Sequence, residues 1–240
     1  MSHRAAAPLE RSLPLPAPLA RVLGEKRAKR IGPIRRIYEA EVPPAEAFLR
    51  WALTHPDLLT WPKSAGSSAL TYGAATQAKR RALLDGDCAV QAEALAELAA
   101  VGAAGSRRKW WAFEGFTSVD CLLETEKLLL LIEGKRTEPI SASTTWFPRR
   151  NQIVRNAEVA QALAGSKNFV VLLCSEQPIE LPSDSWQESL PHKTPAEIEG
   201  LQRHFLGCVT RPEITNKLCP KLTLPNTIEQ AIGLLAAKDQ

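Results

Sequence analysis

The 240-residue chain lacks clustered metal ligands and long apolar runs. Its five cysteines (Cys88, Cys121, Cys174, Cys208 and Cys219) include no C-x-x-C and no paired spacing. An odd, widely spaced set fits structural thiols in a reducing compartment, so a cytoplasmic location is expected. It offers no ligand run for an iron–sulfur cluster. The four histidines show no metal-binding spacing, and His55, in Thr-His-Pro-Asp, reads as a turn. No apolar run approaches the roughly 18–20 residues of a membrane span, so no membrane partner is expected. Met1-Ser2-His3-Arg4 is not followed by an apolar stretch, so no secretory signal is expected. A phosphate-binding G-x-x-x-x-G-K-[ST] loop and a G-x-S-x-G nucleophile elbow are both missing, which removes two common catalytic classes.

What is present is an ordinary globular composition with uneven charge. Hydrophobic residues make up 45% and charged residues 23%, and the length suffices for a substantial core. The net charge of +4 hides an asymmetry. Residues 1–36 hold nine Lys/Arg and two Glu, net +7, while residues 37–240 carry net −3. The basicity therefore belongs to an N-terminal arm that is also proline-rich up to Pro18, and not to a uniformly basic body.

Periodicity divides the remainder. Residues 37–87 read as a helical and loop extension, with a helix over 45–53 and a loop over 61–73. Asp87 is a natural N-cap for a helix over 89–101, closed by Gly102-Ala103-Ala104-Gly105. Three strands are expected next: Trp110–Phe113, Thr117–Glu124 and Lys127–Lys135. The last contains Leu128-Leu129-Leu130-Leu131-Ile132, a run suited to burial on both faces. A helix over 151–164 ends at Gly165, and Phe169–Cys174 is another apolar strand. Residues 177–240 read as mostly helical. There Thr194-Pro195-Ala196-Glu197 forms a capping box for a helix to about Cys208, and a last helix spans Ile228–Ala237. Together these predict an α/β fold with a mixed central sheet.

The chemistry centres on one hairpin. Asp120 lies in the second expected strand, and thirteen residues later the third ends in Glu133-Gly134-Lys135. The polar turn Glu124-Thr125-Glu126-Lys127 makes an antiparallel hairpin the natural connection, which brings Asp120 towards Glu133. Glu133 and Lys135 project from one face because strand period is two. Carboxylates at the end of a buried strand must be paired or metal-bound. Two such oxygens with the Gly134 carbonyl suit Mg²⁺, completed by water and phosphate oxygens, with Mn²⁺ able to substitute. The plain alternative is a surface hairpin bearing an exposed Glu–Lys pair.

Val119-Asp120, a hairpin, and Glu133-Gly134-Lys135, set between one helix and a second helix followed by a strand, resemble the PD-(D/E)XK nuclease superfamily. The resemblance covers residues 88–176 and has Val119 where the family name has proline. It implies a restriction-endonuclease-like three-layer core: helix, three-stranded meander, helix, strand, with extra helices at both ends. It implies Mg²⁺-dependent phosphodiester hydrolysis, with DNA as the partner and a homodimer left open. Asp120 and Glu133 would bind metal, Lys135 would position or activate water, and Gln152 and Arg149 would orient the phosphate or water network. A further acidic ligand would be Glu114 or, on the first helix, Glu93 or Glu97. Helical spacing places Arg149, Gln152 and Asn156 on one face and Ile153, Ala157, Ala160 and Leu163 on the other.

Lys79-Arg80-Arg81, Arg107-Arg108-Lys109, Arg136 and Arg149-Arg150 are candidate phosphate contacts. Thr144, Thr145 and Trp146, just before the second helix, are candidate substrate contacts. A non-catalytic nucleic-acid-binding or assembly module of the same fold is the competing reading. Because the arm holds the excess positive charge, its removal should weaken DNA binding and flatten the salt dependence, read by fluorescence anisotropy across a salt titration. Unchanged affinity would assign the arm another role.

Overall fold

A computed structural model describes residues 34–62, 73–136 and 138–213. Its centre is a five-stranded sheet in the order β1-β2-β3-β4-β5. These strands are β1 (Ile34–Val42), β2 (Thr117–Thr125), β3 (Leu128–Lys135), β4 (Asn168–Ser175) and β5 (Phe205–Thr210). β1 to β3 form an antiparallel meander, whereas β4 and β5 add in parallel, so the sheet is mixed as predicted. Between β1 and β2 the chain forms α1 (Glu46–Thr54), α2 (Ala74–Leu84) and α3 (Cys88–Val101). Helix α4 (Gln152–Ala164) connects β3 to β4, and the short α5 (Ser185–Ser189) and α6 (Pro195–Gln202) precede β5. No described helix is long and apolar enough to cross a membrane.

The β2–β3 hairpin follows from its turn chemistry. The Thr125 hydroxyl accepts from the main-chain N–H groups of Lys127 and Leu128, closing the turn. Period two then sends Leu129 and Leu131 to one face, where Val154, Ala157, Ala160 and Ala164 of α4 cover them. Leu130 goes to the opposite face with Leu123 and the partly buried Ile132, Val170 and Leu172. Helix α4 starts where the Asn151 side chain accepts from the N–H groups of Ile153 and Val154. Asp87 caps α3 in the same way. Both halves of the Thr194–Glu197 capping box are formed.

Several expectations need correction. Trp110–Phe113 is not a strand. Both indole N–H groups of Trp110 and Trp111 donate to Glu97 of α3, and Trp111 and Phe113 are buried among the helices. The first strand of the meander is instead β1, so the arm boundary at residue 36 falls inside a strand and a deletion that spares the sheet stops at residue 33. Helix α3 packs with α1 and α2, and not on the sheet as the resemblance implied. Val101 and Leu163, expected on apolar faces, are 41% exposed. The helix from Pro195 ends at Gln202, and the β-branched and glycine-containing Phe205–Thr210 pairs with β4. The expected helix 228–237, the arm to residue 33 and most of the 61–73 loop lie outside the described residues. Of the cysteines, Cys121, Cys174 and Cys208 are half-buried and Cys88 is exposed, all as free thiols.

Of the three apolar clusters among the described residues, the two larger lie between the sheet and α4 to α6 and among α1 to α3. Arg150 is fully buried where they meet. It donates two hydrogen bonds to Glu114 (2.8 and 3.0 Å), one to Glu158 of α4 (2.7 Å) and one to the Ser189 carbonyl of α5 (2.8 Å). Its guanidinium carbon lies 3.7 Å from the Phe48 ring centroid of α1. Glu158 also bonds His192, and Lys193 approaches it at 3.5 Å. Arg150 and Glu114 were candidates for phosphate and metal. Both are instead bonded to each other within this buried network.

Burial pushes the Glu158 carboxyl up, but the charge of Arg150 and the hydrogen bond and charge of His192 outweigh it. The carboxyl is held at about 2, below its ordinary 4.5. Because the folded value is the lower one, this stabilisation is complete above about pH 4.5 and is lost as pH falls towards 2. Denaturant unfolding at stepped pH should show that decline, and Glu158→Gln should flatten it. Arg150→Met strands two buried carboxylates and should destabilise by about 3–5 kcal/mol. For a chain of this size that lowers Tm on the order of 10 °C, measured by calorimetry.

Candidate functional site

The end of β3 brings Glu133 onto the α4 side of the sheet, in step with Leu129 and Leu131. Its side chain is only 3% exposed and is held from three directions. Gln152 Nε2 donates to Oε1 at 2.5 Å, Asn156 Nδ2 donates to Oε2 at 3.0 Å, and Lys135 Nζ lies 2.9 Å from Oε1. Gln152 and Asn156 meet one carboxylate because they lie four residues apart on α4. Gln152, the first residue of α4, also anchors the preceding loop. Its N–H donates to the Ser141 carbonyl (2.8 Å), and its Oε1 accepts from the Ser141 N–H (3.4 Å).

Asp120 arrives from β2 through a bulge. Tyr38 pairs with Leu122 but Ala40 pairs with Val119, so Glu39 alone stands opposite both Asp120 and Cys121. The paired register with β3 stops at Cys121–Ile132. Beyond it, Asp120 Oδ2 accepts from the Gly134 N–H at 2.8 Å, taking over the role of a strand partner. A Cβ at residue 134 would stand 3.3 Å from that oxygen, closer than ordinary contact. Glycine between Glu133 and Lys135 thus lets the Asp120 carboxylate sit against the backbone next to Glu133.

Glu133, Lys135, Gln152 and Asn156 therefore come together, Asn156 as a buried partner of Glu133 and not as a nucleic-acid contact. Asp120 bonds the backbone of the intervening Gly134, and no hydrogen bond or ion pair joins its side chain to theirs among the described residues. Glu114 does not join them, for the reason already given. Glu93 is exposed on α3 and pairs with Lys79 of α2 at 2.5 Å, away from the sheet. Glu97 receives the two tryptophan N–H groups; that from Trp110, with further help from Trp111, Lys109 and Lys79, holds its carboxyl below the usual range despite burial. Among the described residues no group of three or more His, Cys, Asp or Glu side chains converges.

The expected phosphate contacts scatter. Arg149 precedes the Asn151 cap, so it is not on the helical face of Gln152; it is exposed and lines a separate cavity with Asp57 and Glu188. Arg107 pairs with Glu41 at 2.6 Å and lies over Phe116, and Lys109 is 3.8 Å from Glu97. Arg108 is exposed with φ at 60°. Arg80 is buried, donating to the Trp110 carbonyl and lying over the Trp146 ring. Arg81 lies over Trp61. Arg136 is exposed and follows Lys135 into an open cleft shared with Ser175 and Arg211.

Beside the Glu133 cluster lies a cavity of about 420 Å³. Gln152 belongs to both, and Arg155, one turn further along α4, lines the cavity with Ser141, Thr144, Thr145 and Trp146. The expected substrate contacts Thr144, Thr145 and Trp146 thus fall in its wall, although Trp146 itself is buried. Arg155 was missed in the sequence. Its spacing of three from Gln152 on an amphipathic helix was the available signal. Comparison of the chain with protein-family models, curated proteins and solved structures finds no match.

Proposed function

We propose that the chain is a metal-dependent nuclease of the PD-(D/E)XK type that hydrolyses phosphodiester bonds in DNA. One observation carries this reading. A buried Glu133 carboxylate is gripped by Lys135 of its own E-x-K element and by Gln152 of the next helix, while Asp120 ends on the backbone of the intervening glycine. The antiparallel meander, the helix and the parallel strand follow in the order the resemblance implies, with one departure: the helix over 88–101 sits between the first two strands.

The donor set fits a hard divalent cation. Asp120 Oδ2 takes one hydrogen bond, and Glu133 takes one on each oxygen beside its ion pair with Lys135. A carboxylate offers about four acceptor positions, so both retain capacity for a cation. Buried next to them, the Asn156 carbonyl oxygen has no hydrogen-bond partner. Asp120 and Glu133, with the Gly134 carbonyl, would hold Mg²⁺ or Mn²⁺. When bound, such an ion polarises a phosphoryl oxygen and promotes ionisation of a water.

The remaining work falls to the chain. Lys135 keeps two further N–H donors after pairing with Glu133, and directs them at the attacking water or at the phosphate oxygen that gains charge. Gln152 and Asn156 fix the Glu133 carboxylate so that it need not reorganise as charge develops. The net-negative body is compatible with a polyanionic substrate when the cation neutralises these carboxylates.

A second reading has one observation behind it: the chain's own donors already satisfy Glu133 without any ion. A non-catalytic binding module would show salt-sensitive DNA binding with no metal requirement and no strand cleavage. Incubation of circular and linear DNA with Mg²⁺ or Mn²⁺ separates the two. The native chain should cleave, and Asp120→Ala and Lys135→Ala should each lose activity by about 10²-fold or more while circular dichroism stays native. Cleavage by both variants at the native rate overturns the site, and binding without cleavage by the native chain establishes the second reading.

A further inference from the structure

Arg155 is the one described arginine that is substantially buried yet makes no side-chain hydrogen bond or ion pair among the described residues, and its Nε is a buried donor without a partner. Arg150 and Arg80, in the same cavity wall, contrast with it. Arg150 is bonded on every side, and Arg80 donates to the Trp110 carbonyl. The wall thus carries three guanidinium groups against one carboxylate, Glu114, which Arg150 already binds through both oxygens. Glu114 and Glu133 offset part of the Arg155 charge from a distance, but no hydrogen bond or ion pair joins either to it among the described residues, so burying this cation stays costly unless a ligand supplies further counter-charge.

The neutral groups have matching character. Ser143 and Thr145 add hydroxyls to the lining, whereas those of Ser141 and Thr144 donate to the Ser143 and Phe147 carbonyls and offer a ligand only their oxygens. A guanidinium fork suits two oxygens of one phosphate. A volume of about 420 Å³ lies in the range of small-molecule pockets and admits one nucleotide unit but not a duplex. Gln152 lines this cavity and also bonds the Glu133 carboxylate, so the cavity adjoins the Glu133–Lys135 cluster.

We propose that this cavity is a nucleotide subsite in which Arg155 binds a phosphate of a single, unpaired nucleotide of the substrate strand. The assignment of that strand rests on the nuclease reading, whereas the anion site stands on the cavity itself. It directs the enzyme to single-stranded segments or strand ends, because a paired nucleotide within continuous duplex cannot enter.

The test is binding by the full chain in chelator-containing buffer, by calorimetry, with thymidine monophosphate, thymidine and inorganic phosphate as probes. Thymidine monophosphate should bind at least ten-fold more tightly than thymidine and more tightly than inorganic phosphate. Arg155→Met should abolish that preference, and Arg155→Lys should keep part of it. Equal affinity for thymidine and its monophosphate overturns the proposal without any variant, and so does a native preference in Arg155→Met. Inorganic phosphate binding as tightly as the nucleotide reduces the cavity to a small-anion site and overturns the nucleotide assignment. A preference for the monophosphate in a chain that cleaves no DNA supports the subsite while removing the nuclease reading. Cleavage of DNA by a chain with no such preference does the reverse.

Discussion

A single buried guanidinium holds this fold together. Arg150 has no exposed surface and reaches Glu114 before β2, Glu158 on α4, the Ser189 carbonyl of α5 and the Phe48 ring of α1. These belong to elements that otherwise pack into two separate apolar clusters. Apolar contact alone is non-directional and would let the clusters slide. A forked cation with four hydrogen bonds has one geometry, so it sets how the helical cluster meets the sheet. Arg150 also sits immediately before the Asn151 cap, so the start of α4 is registered by the same residue. Every functional side chain on α4 inherits its position from that point.

The site then depends on three local devices acting together. The bulge in β2 releases Asp120 from the ladder, and the missing side chain of Gly134 gives its carboxylate a place against the backbone. Period two aims Glu133 and Lys135 at α4. The first turns of α4 supply Gln152 and Asn156, which hold the glutamate, and Arg155, which turns to the neighbouring cavity. A burial that would be expensive for a lone carboxylate becomes tolerable because each oxygen has a donor. The same helix thereby serves both the carboxylate cluster and the cationic cavity, and Gln152 is common to the two.

Reading the sequence recovered the parts governed by near neighbours. The β2–β3 hairpin, β4, the Asp87 cap of α3, the capping box at Thr194, and the placing of Glu133 and Lys135 on one face were all legible, because turn chemistry and periodicity act over a few residues. Failures occurred where a distant partner decided. Trp110–Phe113 has the aromatic content of a strand, yet Glu97 of α3 captures its indoles. Strand β1 was overlooked in a basic stretch because its partner β2 begins only after three intervening helices. Arg149, Arg150 and Arg107 looked alike as basic residues, and only tertiary partners separated an exposed arginine from a buried keystone and a surface ion pair.

By itself the sequence determined an α/β chain with a mixed sheet, a basic arm on an acidic body, and one hairpin carrying an Asp and a Glu-x-Lys. Those features are local or compositional, so short-range sterics, hydrogen bonding and charge counting are enough to read them. Tertiary structure alone decided which charges are neutralised inside the fold and which are left facing a cavity. Charge pairing depends on distances between segments far apart in the chain, and no spacing along the sequence encodes that Glu114 would bond Arg150 while the Arg155 Nε is left without a partner among the described residues.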